Sequence, residues 1–88
     1  MQTSIFKKHN YNFDDYLQIM LVTQQNTTIY QICLDLDIDY TKIARKVQTL
    51  VKSGFIDRLT IGSACNPAVY RISKAGRLML QDIKDNIL

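Results

Sequence analysis

Residues Asp39 to Phe55 (DYTKIARKVQTLVKSGF) constrain the fold more than any other stretch, because they encode one helix with two chemically opposed sides and two marked ends. At about 100° per residue, Ile43, Ala44, Val47, Leu50 and Val51 gather on an apolar arc. Thr41, Lys42, Arg45, Lys46, Gln48, Thr49 and Lys52 fill the opposite one. Asp39 has the side chain of an N-cap, and Gly54 suits the left-handed residue that follows a helix C-terminus. A helix over 40–53 therefore anchors by one side and presents a cationic surface on the other.

An 88-residue chain that is 47% apolar can close one modest core, so a single domain is expected. No apolar run approaches the roughly 20 residues of a membrane span. The opening MQTSIFKKHNYNF lacks the apolar centre of a signal peptide, and a cytoplasmic location without membrane contact is the expectation. Cys33 stands in an apolar context and Cys65 in a polar loop, with neither metal-ligand spacing nor a disulfide framework. Cys33 reads as a small core residue. His9, the one histidine, has no ligand set near it in the sequence, and neither a phosphate loop nor a nucleophile motif occurs. These absences argue against an enzyme and imply no cofactor or metal.

The net charge of +3 is modest, but its distribution is uneven. Between His9 and Thr41 stand five aspartates and no Lys or Arg, whereas the stretch from Tyr40 to Arg58 holds five basic residues and one acid, Asp57. The positive field thus coincides with the amphipathic helix and favours phosphate contacts; a solvated basic face without a ligand is the alternative.

Residues 1–12, with Lys7 and Lys8, form a polar segment expected to be flexible. From Phe13 to Gln24, the residues Phe13, Tyr16, Leu17, Met20, Leu21 and Gln24 recur at helical spacing, with Asn12 or Asp14 as N-cap. The polar cluster Gln24 to Thr28 ends this first helix. Thr28 then caps a short second one over Ile29–Leu36, in which Ile29, Ile32, Cys33 and Leu36 share a face. Asp37 and Ile38 make the turn into the basic helix, with Ile38 plugging the core. Two short helices so tightly linked form a helix-turn-helix candidate.

Past Gly54 the periodicity changes. Phe55–Ile61 and Ala68–Ile72 are β-prone runs around the turn residues Gly62–Pro67, which predicts a hairpin. Ser73 caps a last helix to about Ile87, with Leu78 or Met79, Leu80, Ile83 and Ile87 along an apolar stripe.

This order of elements, with LVKSGFI at Leu50–Ile56 and YRISKAGR at Tyr70–Arg77, resembles the winged helix-turn-helix domains of the MarR and SarA group of bacterial regulators. The resemblance covers about Phe13 to Ile83. It implies a mainly α fold with a small β-hairpin wing (α+β), a domain over 13–88 whose C-terminal helix dimerises, and TKIAR (Thr41–Arg45) where such proteins address bases. The chain is similar as well to small winged-helix proteins of plasmids and phages. One departure stands out: Thr60–Ala68, at the wing tip, carries no charge, and Arg58 and Arg71 sit at the wing base.

A helix fits the major groove of duplex DNA, where each base pair displays a distinct donor and acceptor pattern. Thr41, Lys42, Arg45 and Lys46, near the helix start, are the expected groove residues, with Arg45 suited to a bidentate contact to guanine. Of these, Lys46, with Thr49 and Lys52, lies further along or to the side and is expected to contact phosphates, which position without reading sequence; Arg58, at the wing base, is expected to bind DNA as well. Tyr40 falls nearer the apolar side and is expected to pack at the helix start. Leu17, Met20, Leu21, Leu78, Met79, Leu80, Ile83, Ile87 and Leu88 exceed what so small a body can hide, which predicts a homodimer through helix one and the C-terminal helix. Twofold pairing would set two recognition helices about 34 Å apart. The expected function is therefore a sequence-specific double-stranded DNA-binding regulator. Two alternatives stand beside it: a plasmid or phage partition or replication protein on repeated sites, and a winged-helix module that binds protein and no DNA. The target site, the direction of regulation and any small-molecule effector are not encoded legibly.

Overall fold

Helices α1 (Tyr11–Val22), α2 (Ile29–Leu36) and α3 (Tyr40–Lys52) precede an antiparallel hairpin of β1 (Ile56–Arg58) and β2 (Tyr70–Ile72), and α4 (Lys74–Asn86) follows. The computed structural model describes residues 11–86, with side chains from Asp14 onward. Residues 1–10 of the N-terminal segment expected to be flexible, and the apolar pair Ile87 and Leu88, lie outside the described residues. No helix among the described residues is long and apolar enough to cross a membrane.

The helix pair forms as its caps dictate. Thr28 accepts a hydrogen bond from the Gln31 amide at 3.1 Å and starts α2. Asp37 ends it in the left-handed region, at φ 55°, and the Ile38 amide donates back to the Cys33 carbonyl at 3.3 Å. Ile38 packs against the core as expected. Asp39 Oδ2 then accepts from the Thr41 amide at 3.1 Å and opens α3. At the far end Gly54, with φ 83°, donates to the Val51 carbonyl while Phe55 donates to that of Leu50, which is the paired closure of a Schellman motif.

Helix α1 departs from expectation in two respects. It includes Tyr11 and Asn12 and ends at Val22, so Asp14 lies inside the helix rather than at its cap. Its buried side is also wider than the predicted stripe: Ile19 and Thr23 are fully buried beside Leu17 and Met20, whereas Leu21 is exposed. Thr23 tolerates burial because its hydroxyl donates within its own helix end, to the carbonyls of Ile19 and Met20 at 2.9 and 3.1 Å.

The hairpin pairs Ile56 with Ile72, Asp57 with Arg71 and Arg58 with Tyr70, and is shorter than the β-prone runs suggested. Beyond it the Thr60 hydroxyl takes the place of a ladder carbonyl, accepting from the Val69 amide at 3.0 Å. A third edge was not foreseen: Thr27, in the polar cluster after α1, exchanges both backbone hydrogen bonds with Tyr70, at 3.0 and 2.7 Å. The Ile72 amide also donates to the Thr23 carbonyl at 2.8 Å, so the wing is bolted to the end of α1. Ile19, Ile32, Ile43, Val47 and Ile56 fill the centre where these elements meet.

Ser73 couples the wing to α4. Its hydroxyl accepts from the Gly76 amide at 3.0 Å, as an N-cap does, and donates to the Gly54 carbonyl at 2.6 Å. Ser73→Ala removes both, and a loss of about 1–2 kcal/mol is expected. Thermal unfolding followed by circular dichroism should record a melting temperature lower by about 5–10 °C; an unchanged value would show that the cap is dispensable.

Candidate nucleic-acid interface

Helix α3 buries Ile43, Val47 and Leu50, and this fixes which side chains point outward. Thr41, Arg45, Gln48 and Lys52, spaced by four, three and four residues, make the outermost line and are all exposed. Lys42 and Thr49, also exposed, flank it on one side. Gln48 was not singled out from the sequence, although its place between Arg45 and Lys52 was readable from helical spacing. An amide there can donate to and accept from base edges.

Lys46 departs from the expected outward position. Its ammonium group lies 3.8 Å from Asp15 Oδ2 and 5.2 Å from the centre of the Tyr16 ring, both on α1, and its side chain is only 14% exposed. The cause is angular: Lys46 sits roughly 60° from the middle of the buried arc, so its stem runs along the groove between α3 and α1. Lys46 thus braces α3 against α1. Lys46→Ala is expected to change the slope of log affinity for duplex DNA against log salt less than Lys52→Ala does, in paired titrations. An equal change for the two would place Lys46 on the DNA after all.

Thr49 is qualified in a different way. Its hydroxyl donates to the Arg45 carbonyl at 3.1 Å, so a contact to phosphate, which only accepts, requires that bond to be released. Arg58 is exposed at the wing base with its guanidinium 5.9 Å from the centre of the Tyr70 ring. Arg71 is exposed too, but Asp57 lies opposite it in the ladder and offsets its charge. From Leu59 to Tyr70 the wing carries no charged residue.

Two tyrosines complete the surface. Tyr40, expected to pack, is 55% exposed: side chains lean toward the helix N-terminus, and at the first position there is no preceding turn to lie on. Tyr30, at the start of α2, is 64% exposed and was overlooked because nothing in its periodicity marks it. Cys33 is half-buried against the core, and burial, with a smaller contribution from the Asp39 carboxylate, pushes its thiol above the ordinary value. It is therefore kept as a thiol. Among the described residues no group of three or more His, Cys, Asp or Glu is placed to hold a metal ion.

No family model and no curated protein matches the sequence. Solved structures do match the fold. The reduced form of MarR from E. coli superposes with a TM-score of 0.65 over 84% of this chain, at 16% identity. A mutant of ZitR from Lactococcus lactis in apo form gives 0.68 over 93%, at 13% identity. A mutant of MarR from E. coli complexed with operator DNA gives 0.66 over 94%, at 14% identity. The fold is the MarR-type winged helix. In its terms α2 and α3 are the helix-turn-helix and the β1–β2 hairpin is the wing, with Thr27 bridged to its second strand. The chain spans 53%, 63% and 58% of the lengths of those three chains, respectively. At this level of identity the likeness is one of architecture, and the residues on α3 stand on their own chemistry.

Proposed function

We propose that this chain is a sequence-specific double-stranded DNA-binding protein that acts as a transcriptional regulator, with α3 in the major groove. The observation that carries the proposal is the exposed line Thr41, Arg45, Gln48 and Lys52 on a helix held from behind by Ile43, Val47 and Leu50. Arg45 and Gln48 are the base readers: arginine matches the paired acceptors of guanine, and glutamine the acceptor and donor of adenine. Thr41 lies at the tip that enters deepest. Lys42, Lys52 and Arg58 contact phosphates, which set register and affinity without reading sequence. That one structure of the same fold is complexed with operator DNA supports this assignment.

The proposed assembly is a homodimer through α1 and α4, which matches two recognition helices to successive major grooves. The case from surplus apolar surface is narrower than the sequence suggested, because Leu17, Met20, Leu80 and Ile83 are buried inside one chain. What supports pairing is the exposure of Leu21 and Leu78, together with an apolar groove of about 230 Å³ lined by Tyr16, Met20, Phe55, Met79 and Ile83 among others. The decisive experiment is selection of bound sequences from a randomised duplex pool, with the mass of the complex measured on the enriched site. A palindrome held by two chains is expected. Enrichment of direct repeats would favour the partition or replication role, and absence of any enrichment would favour a module that docks protein.

A further inference from the structure

Between the start of the helix-turn-helix and the wing runs a cleft of about 300 Å³, lined by Ile29, Tyr30, Tyr40, Pro67, Ala68 and Tyr70, among others. It adjoins the base-reading line directly, since Tyr40 precedes Thr41. If α3 occupies a major groove and the wing faces the neighbouring minor groove, the sugar–phosphate strand that divides the two grooves must pass between them. The cleft is the space available for it, so this inference rests on the DNA-binding reading above.

We infer that this cleft seats one strand of the duplex backbone, with the Tyr30 and Tyr40 hydroxyls donating to its phosphate oxygens and Pro67 and Ala68 lying against deoxyribose. Tyr30 and Tyr40 are 64% and 55% exposed, and neither hydroxyl makes a hydrogen bond among the described residues. Tyrosine hydroxyls are ordinary phosphate donors. The Thr41 amide is not available beside them, because the Asp39 carboxylate accepts from it. Charge complementarity comes from one cation at the margin, Arg58, whose guanidinium lies over the Tyr70 ring that forms part of the cleft. The uncharged wing then offers apolar atoms to the strand while the neutral donors come from α2 and α3, and this contact contributes affinity without releasing counterions.

The test compares Tyr30→Phe, Tyr40→Phe and the double variant with wild type on the selected duplex and on a scrambled one, by fluorescence anisotropy across a salt series. Each single change removes one neutral hydrogen bond and keeps the ring, so about a three- to tenfold loss of affinity is expected, multiplied in the double variant. The loss should be the same on both duplexes, and the salt slope should not move. A double variant that binds within twofold of wild type overturns the inference, as does a loss confined to the selected sequence. Arg45→Ala measured alongside separates the two levels. If it weakens binding while the tyrosine variants do not, only the cleft fails; if wild type binds neither duplex, the DNA-binding reading fails and the cleft with it.

Discussion

Gly76→Ala should lower the melting temperature of this domain by up to about 15 °C, although alanine is the better helix former. A Cβ at Gly76 would fall on the Phe55 carbonyl oxygen and 2.5 Å from Ile72 Cγ1. Neither obstacle can swing away: one is backbone at the end of the α3 closure, and the other is a buried strand residue. Overpacking of this kind costs about 1–3 kcal/mol and sometimes more, against about 1 kcal/mol gained in helix propensity. With about 4–8 °C per kcal/mol for a domain of this size, the net loss is large. Calorimetry or circular dichroism melting of the single variant measures it. A melting temperature equal to or above that of wild type would mean that α4 does not sit as close to β1 as described. The same contact joins α4 to the end of α3 and the start of the hairpin: Ser73 and Gly76 both close on residues 54–55.

The second large effect concerns recognition. Arg45→Ala is expected to reduce affinity for the selected duplex by about ten- to a hundredfold and to relax the preference at one guanine, the loss of about 1–3 kcal/mol that a bidentate base contact confers. Lys52→Ala should act otherwise, weakening binding to all duplexes alike and reducing the salt slope by about 0.9. The two signatures are separable in one set of titrations with binding curves at several salt concentrations. If Arg45→Ala instead weakened every sequence equally, arginine would be a backbone contact, and the reading of bases would pass to Gln48 and Thr41. Neither substitution should alter folding, because both side chains are exposed.

The division of labour across α3 follows from one geometric fact. Ile43, Val47 and Leu50 are buried, and the helix packs against α1, α2 and β1, which sets its rotation about its own axis. That rotation assigns Arg45 and Lys52 outward and turns Lys46 toward Asp15 and Tyr16. Two adjacent basic residues thereby acquire different duties. An exposed ion pair contributes little to stability, but the one at Lys46 is largely covered and backed by an aromatic ring, and it ties α3 to α1.

What the sequence determined by itself was whatever local chemistry controls. The three caps, Thr28, Asp39 and Ser73, and the left-handed Gly54 are each decided within a few residues, and all were legible. The apolar arc of α3 was legible as well, because its period is strong and its two sides differ sharply. The tertiary structure alone decided features that depend on residues distant in the chain. Thr27 pairs with Tyr70, Gly76 meets Phe55, Lys46 finds Asp15, and Tyr30 faces the wing. Side-chain periodicity reports which face of an element is apolar but carries no record of what is packed beside it. For that reason Thr23, a polar residue at a helix end, gave no sign that it would be buried, and Tyr40, aromatic and near the apolar arc, gave none that it would stand exposed.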